Sequence, residues 1–340
     1  MLASGKDTGD AGLAQVEQEA AAALDAVARI RTGIGGAILG QEQVVDLVLA
    51  TVLAGGHGLL VGVPGLAKTR LVEALAVACG LDWSRVQFTP DLMPGDILGS
   101  EVLETASDGS RAFRFIKGPI FTRLLMADEI NRASPRTQSA LLQAMQEQHV
   151  TIAGTRHDLP APFHVLATQN PIEQEGAYPL PEAQLDRFLL QIDVPYPDRD
   201  TERSVLLATT GVETLAPTAA VTLEELAGLQ GLVRRLPVPE RVLDATLDLV
   251  RAARPEVTTR DDVRGQVAWG PGPRAGQALI RAAKARALLR GRLAPSLDDV
   301  AHLAQAALGH RMALTWRARA DGVDLAGLVA RMTADVLTGR

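Results

Sequence analysis

One cysteine, Cys79, stands in 340 residues, which excludes an internal disulfide and a thiolate zinc site and favours the cytosol. Aromatic residues contribute only 3% and the formal net charge is −6. Neither figure suits a protein that coats nucleic acid, although a local basic channel can hide inside an acidic average. No uncharged apolar run reaches membrane-spanning length, since the best stretch, 44–63, contains Asp46, His57 and glycines at 55, 56, 58 and 62. Insertion in a membrane is therefore not expected. The opening MLASGKDTGD lacks the apolar core of a signal peptide and reads as a disordered tail over residues 1–10.

What is present is 47% hydrophobic content, with alanine-rich helical stretches and enough chain for two domains. An amphipathic pattern over 11–38 predicts one or two helices, followed by another over 41–54. Short apolar runs then recur at 58–61, 86–88, 122–126, 163–167 and 188–194. Separated by helical patterns, five such runs predict a mostly parallel sheet covered on both faces, an α/β fold. Two β-hairpins are expected beside it, one turning at ASDGS (106–110) and one over 148–159 with Ala153 and Gly154 at the turn. PYPDRD marks a linker, so the first domain runs over 11–196 and a purely helical second domain over 197–340. Helices are expected there at 198–210, 222–235, 240–253, 274–290 and 296–308, with WGPGP breaking the chain before the fourth.

The octapeptide GVPGLAKT, 62–69, follows an apolar strand and precedes a helix. That order suits a phosphate cradle: backbone N–H groups and a helix N-terminus converge on anionic oxygens, a lysine reaches the β/γ-phosphates and a hydroxyl holds Mg²⁺. Lys68 and Thr69 stand in those two positions. Ala67 replaces the usual last glycine, which keeps close phosphate approach open if its φ is negative. LLMADEI, 124–130, is an apolar strand ending in two carboxylates, which assigns Asp128 to the metal and Glu129 to the base that polarises water. ATQNP brings Asn170 to the same sheet edge, either to orient that water or simply to start an Asn-Pro turn. Arg187, in PEAQLDRFLL, either forms a surface ion pair with Asp186 or faces a neighbouring subunit's γ-phosphate. Arg274 begins the helix after WGPGP, where a cation opposes the helix dipole and points to an anionic partner.

Together GVPGLAKT, QFTPDLMPGDILG, FRFIKGPIF, ADEINRASPRTQSALLQAMQE, ATQNP, EAQLDRF and GPGPRA make the chain resemble the MoxR family of AAA+ ATPases from Leu39 to the last helix. The resemblance implies a five-stranded parallel sheet of order 5-1-4-3-2, two hairpin inserts and an all-helical lid. It also implies ATP/ADP and Mg²⁺ as ligands. Gly62, Val63, Pro64, Gly65, Leu66, Ala67, Lys68, Thr69, Arg70 and Arg274 are then the nucleotide contacts, with Thr69 and Asp128 at the metal. Asn170 is implied as sensor 1, Arg187 as arginine finger, Arg274 as sensor 2 and Arg132 as a further interface residue. A hexameric ring and chaperone-like work on a client complex follow, often beside a protein with a von Willebrand A domain.

Two other classes share these signals: a nucleic-acid motor similar to the MCM helicases, which should show nucleic-acid-stimulated turnover with steep salt dependence, and a nucleotide-gated scaffold without hydrolysis. Six histidines at 57, 149, 157, 164, 302 and 310 lack metal-ligand spacing. Arg281, Lys284, Arg286, Arg290 and Arg292 read as a solvated basic helix face. Cys79 reads as a small buried apolar residue, Trp83, Trp269 and Trp316 as packing anchors, and the Asp108-Gly109 tip as a client contact or a mere tight turn.

Overall fold

The computed structural model describes residues 7–105, 110–172, 177–210 and 216–338, with side chains from residue 18 onward. Helix α1 (Asp7–Gly35) opens the chain, so the segment read as a tail is helical from Asp7 and lies outside the described residues before it. It is followed by α2 (Glu42–Leu53), β1 (Gly58–Val61), α3 (Lys68–Ala78), β2 (Trp83–Gln87) and α4 (Pro94–Leu98). Next come the hairpin β3 (Gly99–Thr105) and β4 (Arg111–Lys117), then β5 (Leu124–Asp128) and α5 (Pro135–Glu147). The hairpin β6 (His149–Ile152) and β7 (Thr155–Asp158) precedes β8 (His164–Gln169), α6 (Glu182–Leu185), β9 (Leu190–Asp193) and α7 (Arg199–Thr210). The lid holds α8 (Leu223–Arg235), α9 (Glu240–Ala252), α10 (Asp261–Gln266), β10 (Val267–Trp269) and α11 (Pro273–Leu289). It ends with α12 (Leu297–Leu308), β11 (Ala313–Leu314), α13 (Trp316–Ala320) and α14 (Leu325–Thr338).

The five parallel strands lie in the order β2-β5-β8-β1-β9, which is 5-1-4-3-2 when the sheet strands alone are counted from the other edge. β5 is apolar up to its terminal carboxylate and buried at every position, as a central strand covered on both faces must be. The register pairs Gln87 with Asp128, Ala127 with Ala167, and Val61 with both Gln169 and Asp193. The carboxyl ends of all five strands thus form one edge, where ligands of open α/β sheets bind. Both expected hairpins are present, although the Asp108-Gly109 tip lies outside the described residues. In the second, Ala153 (φ 46°) and Gly154 (φ 84°) supply the two left-handed residues of a tight hairpin turn.

The sheet divides the core. On one face Leu59, Phe88, Leu125, Leu142 and Phe188 pack together; on the other Ile30, Leu53 and Leu75 share a single cluster with the lid residues Leu226, Leu279 and Leu303. Lid and sheet are therefore joined by continuous apolar packing. Part of the basic stretch reaches across this junction while Arg281 and Arg290 stay exposed to solvent, and part binds within the lid. Arg281 Nη2 donates to the Ala54 carbonyl at the end of α2 (2.6 Å), Arg290 pairs with Asp46 (3.0 Å) and Lys284 Nζ donates to the Arg234 carbonyl (3.0 Å). Within the lid, Arg286 and Arg292 both clamp the fully buried Asp299. The ammonium and guanidinium groups cap carbonyls and buried acids that would otherwise lie unpaired away from water. A second correction concerns Trp316, which is 82% exposed and anchors nothing; the lid also contains one two-stranded ribbon, β10 with β11.

Three of the histidines serve packing. The Val165 N–H donates to His57 Nδ1 (3.0 Å), so His57 Nε2–H donates to the Met145 carbonyl (3.2 Å). Gln230 donates to His164 Nε2 (3.0 Å), which assigns the other ring proton to Nδ1, 2.9 Å from the Gly56 carbonyl. Burial pushes the pKa of His57 down to about 3, of His164 to about 4 and of His310 to about 3. The unfolded chain takes up these protons near pH 6.5 while the folded chain does not, so stability is lost as pH falls below 6.5, by up to about 1.4 kcal/mol per pH unit for each ring. Thermal melts at pH 6.5 and 4.5 should show a marked drop in Tm, with a smaller drop in His57→Gln; an equal drop in both would remove His57 from this account. Cys79 is buried, and burial raises its thiol to about 12, in keeping with a packing role.

Candidate nucleotide site

At the carboxyl edge the chain leaves β1 and turns through Gly62–Ala67 into α3. Gly65 takes φ +86°, a conformation that glycine adopts without cost. Ala67 is the N-cap of α3 with φ +55°, and its carbonyl accepts the first helical bond from Leu71 N (2.9 Å). The condition of a negative φ is not met: the loop enters the helix through a left-handed residue, where the glycine of the commoner sequence is unstrained and alanine costs about 1–2 kcal/mol. Ala67→Gly should raise stability by about 1 kcal/mol, seen as a Tm increase of a few degrees; an unchanged or lower Tm would refute the strain. The cap has no side-chain acceptor, so the N–H groups of the first turn remain directed at whatever the loop cradles.

A cavity of about 460 Å³ opens beside this loop, lined by residues 64–70, Arg85, Gln87, Asp128, Glu129, Thr168 and Asn170. Lys68 Nζ donates to the carbonyls of Gly62 and Val63, both at 2.7 Å. Partial burial lowers its pKa, and Asp128 and Glu129 oppose that shift. The ammonium and both acids therefore share one field, as their motif positions suggested. Asp128 is 8% exposed; Thr168 Oγ1 donates to its Oδ1 (2.6 Å) and Arg85 to its Oδ2. Glu129 has φ +56°, and local strain of this kind clusters at functional sites. Its Oε2 accepts from Gln87 Nε2 (2.7 Å) and Arg132 Nη1 (3.0 Å), and its N–H donates to Thr168 Oγ1 (2.9 Å). Asn170 reaches the cavity and also accepts from Ile172 N (3.1 Å), so it both lines the site and starts the Asn-Pro turn. With phosphate-directed amides, a lysine, a hydroxyl at Thr69 and two carboxylates, the donor set fits a magnesium nucleotide.

The structure separates Arg187 and Arg274 from this cavity. They line another, of about 250 Å³, with Gln146, Asp186, Arg281 and Arg311. Asp186 pairs with Arg311 (2.7 Å) and Arg274 (3.7 Å), while Arg187 Nε donates to Gln146 Oε1 (3.1 Å). The ion pair considered for Arg187 with Asp186 is thus not the one formed. Sequence reasoning missed Arg85, Gln87, Thr168 and Arg311. The polar alternation of Arg85 and Gln87 at the end of a strand was the available signal, because period two puts both on one face.

A P-loop sheet of this strand order joined to a helical lid defines an AAA+ ATPase. A family model described as "ATPase family associated with various cellular activities (AAA)" matches residues 57–190, and an AAA lid domain matches 260–330. The chain is 44% identical to Chaperone MoxR1 of Mycobacterium tuberculosis over 84% of its own length and 75% of that protein. It is 31% identical to Protein MoxR of Paracoccus denitrificans over 83% and 87%. A crystal structure of a protein from Cytophaga hutchinsonii superposes with a TM-score of 0.86 at 34% identity, covering 94% of this chain and 97% of that one. The chain belongs to the MoxR family of AAA+ ATPases. Among the described residues no helix is long and apolar enough to cross a membrane, and no group of three or more histidine, cysteine or acidic side chains is placed to hold a metal by itself.

Proposed function

We propose that this protein hydrolyses ATP to ADP and phosphate in a ring of identical copies, hexameric by family resemblance, and couples turnover to the remodelling of a client complex. The observation that carries the reading is the division of the machinery: loop, lysine and acids line one cavity, Arg187 and Arg274 another, and the two share no residue. A head-to-tail contact that presents the arginine cavity of one copy to the P-loop of the next would complete every site and close into a ring. Arg274 is accordingly assigned to the neighbour's site, not its own.

In this reading residues 11–196 bind nucleotide and 197–340 form the lid. The amides of Gly62–Thr69 cradle the phosphates, Lys68 reaches the β/γ oxygens, and Arg70 flanks the loop. Thr69 and Asp128 would hold magnesium, which supplies charge neutralisation on the phosphate oxygens when bound. Glu129 accepts the proton of the attacking water and Asn170 orients that water. Arg187 and Arg274 from the neighbour stabilise charge developing on the transferred group. Domain rotation would move the two hairpins against a client. The chaperone name of the mycobacterial relative supports a protein client, and a von Willebrand A domain protein is the partner we would test first.

Steady-state phosphate release measured across protein concentrations tests the reading. Specific activity should rise steeply with concentration as rings form and be indifferent to added DNA. Concentration-independent turnover would refute the shared site, DNA stimulation would favour a nucleic-acid motor, and no turnover at any concentration would favour a scaffold.

A further inference from the structure

The proposed mechanism leaves one cation in the P-loop cavity without a role. Arg85, on the edge strand β2, places Nη2 2.5 Å and Nε 3.1 Å from Asp128 Oδ2. Nη2 also donates to Gln87 Oε1 (3.0 Å), and Gln87 in turn donates to Glu129. The other oxygen of Asp128 accepts from Thr168. The acid assigned to the metal is thus engaged on both oxygens, and Oδ2 already faces a cationic guanidinium.

The exposures of the two partners differ. The Asp128 side chain is 11% exposed, whereas that of Arg85 is 46% exposed, so the guanidinium can withdraw to water while the carboxylate stays fixed by Thr168. A second cation at the same carboxylate meets Coulomb repulsion from Arg85 and loses access to Oδ2. With no added cation, Arg85 instead offsets the charge of Asp128 and of incoming phosphate. We propose that Arg85 is a positioning residue that acts as the resident counter-cation of Asp128, displaced when a divalent ion arrives with nucleotide, and so sets how strongly nucleotide binding depends on that ion. The inference rests on the nucleotide site proposed above.

The test is binding, not turnover. N-methylanthraniloyl-ADP is titrated into the full chain at fixed ionic strength, once in EDTA and once across a magnesium chloride series, for wild type, Arg85→Gln and Arg85→Lys. In Arg85→Gln the half-saturating magnesium concentration should fall about tenfold while metal-free affinity falls or stays level, so that the ratio of the two affinities widens. Arg85→Lys keeps the charge without the fork and should move the ratio by only about threefold. A merely structural ion pair would shift both affinities equally, and an unchanged or narrowed ratio in Arg85→Gln overturns the inference. If thermal melts show that Arg85→Gln does not fold, an unchanged ratio in Arg85→Lys overturns it in its place. Wild-type protein that binds the probe in neither condition would refute the nucleotide site itself, an outcome distinct from an unchanged ratio in protein that binds.

Discussion

Arg187→Ala should bind ATP within a few fold of wild type yet lose about 10³- to 10⁵-fold in hydrolysis under conditions where copies assemble, the range an arginine finger contributes in related NTPases. Arg187 lies outside the P-loop cavity and its side chain is held by Gln146, so its removal leaves the nucleotide contacts of its own chain intact. The loss should be complementable: mixing Arg187→Ala with Lys68→Ala subunits creates some interfaces with an intact loop facing an intact arginine, and partial activity should return. Near-normal turnover in Arg187→Ala would move the finger elsewhere. Arg132 then becomes the first alternative, although its guanidinium lies against Glu129 of its own chain.

Glu129→Gln should retain ATP and hydrolyse it about 10²- to 10⁴-fold more slowly, the usual cost of removing a general base. The isosteric amide can keep the contacts to Gln87 and Arg132 through its remaining oxygen, so melts and nucleotide affinity should stay close to wild type. Single-turnover assays with radiolabelled ATP separate retained binding from lost chemistry. Nucleotide retention with ordinary turnover would take the base role from Glu129. The same variant, tagged and loaded with ATP, is the form on which a client should remain bound long enough to identify.

The parts of the site that were legible in sequence are those whose residues are contiguous. GVPGLAKT spells out the loop, and LLMADEI spells out a buried strand with acids at its end. The apolar runs gave the inner strands because strands buried on both faces cannot alternate in polarity, whereas the edge strand β2 buries Val86 alone; the hairpins declared themselves through turn residues. What stayed hidden depends on register between distant segments. Arg85 meets Asp128 across 43 positions, and Arg311 meets Asp186 across 125. Nothing local distinguishes Arg311 from a solvated arginine, and the alternation of Arg85 with Gln87 gives a face of the strand but not its partner across the sheet. The solvated reading of the basic stretch on α11 holds for the exposed Arg281 and Arg290 but not for the buried Arg286, since periodicity gives the side of a helix and not the Asp299 that waits opposite it. The handedness of Ala67 was illegible too, because the residue type favours the conformation that the loop forbids. α10 and α13 were missed because they are short; α14 was missed although Asp324 caps its first turn, and it packs through four buried residues, Leu328, Val329, Met332 and Thr333.

The buried guanidinium of Arg311 reaches five oxygens: the Asp186 carboxylate and the carbonyls of Ala307, Asp186, Phe188 and Leu189. Four of the five belong to the strip of chain that carries Arg187, and the hand that grips them extends from the lid. If Arg187 is the finger of the proposed ring, it would be leashed to the lid of its own subunit through Arg311. Tilting one lid would drag the arginine offered next door, so that in a closed circle each subunit's posture dictates when its neighbour fires.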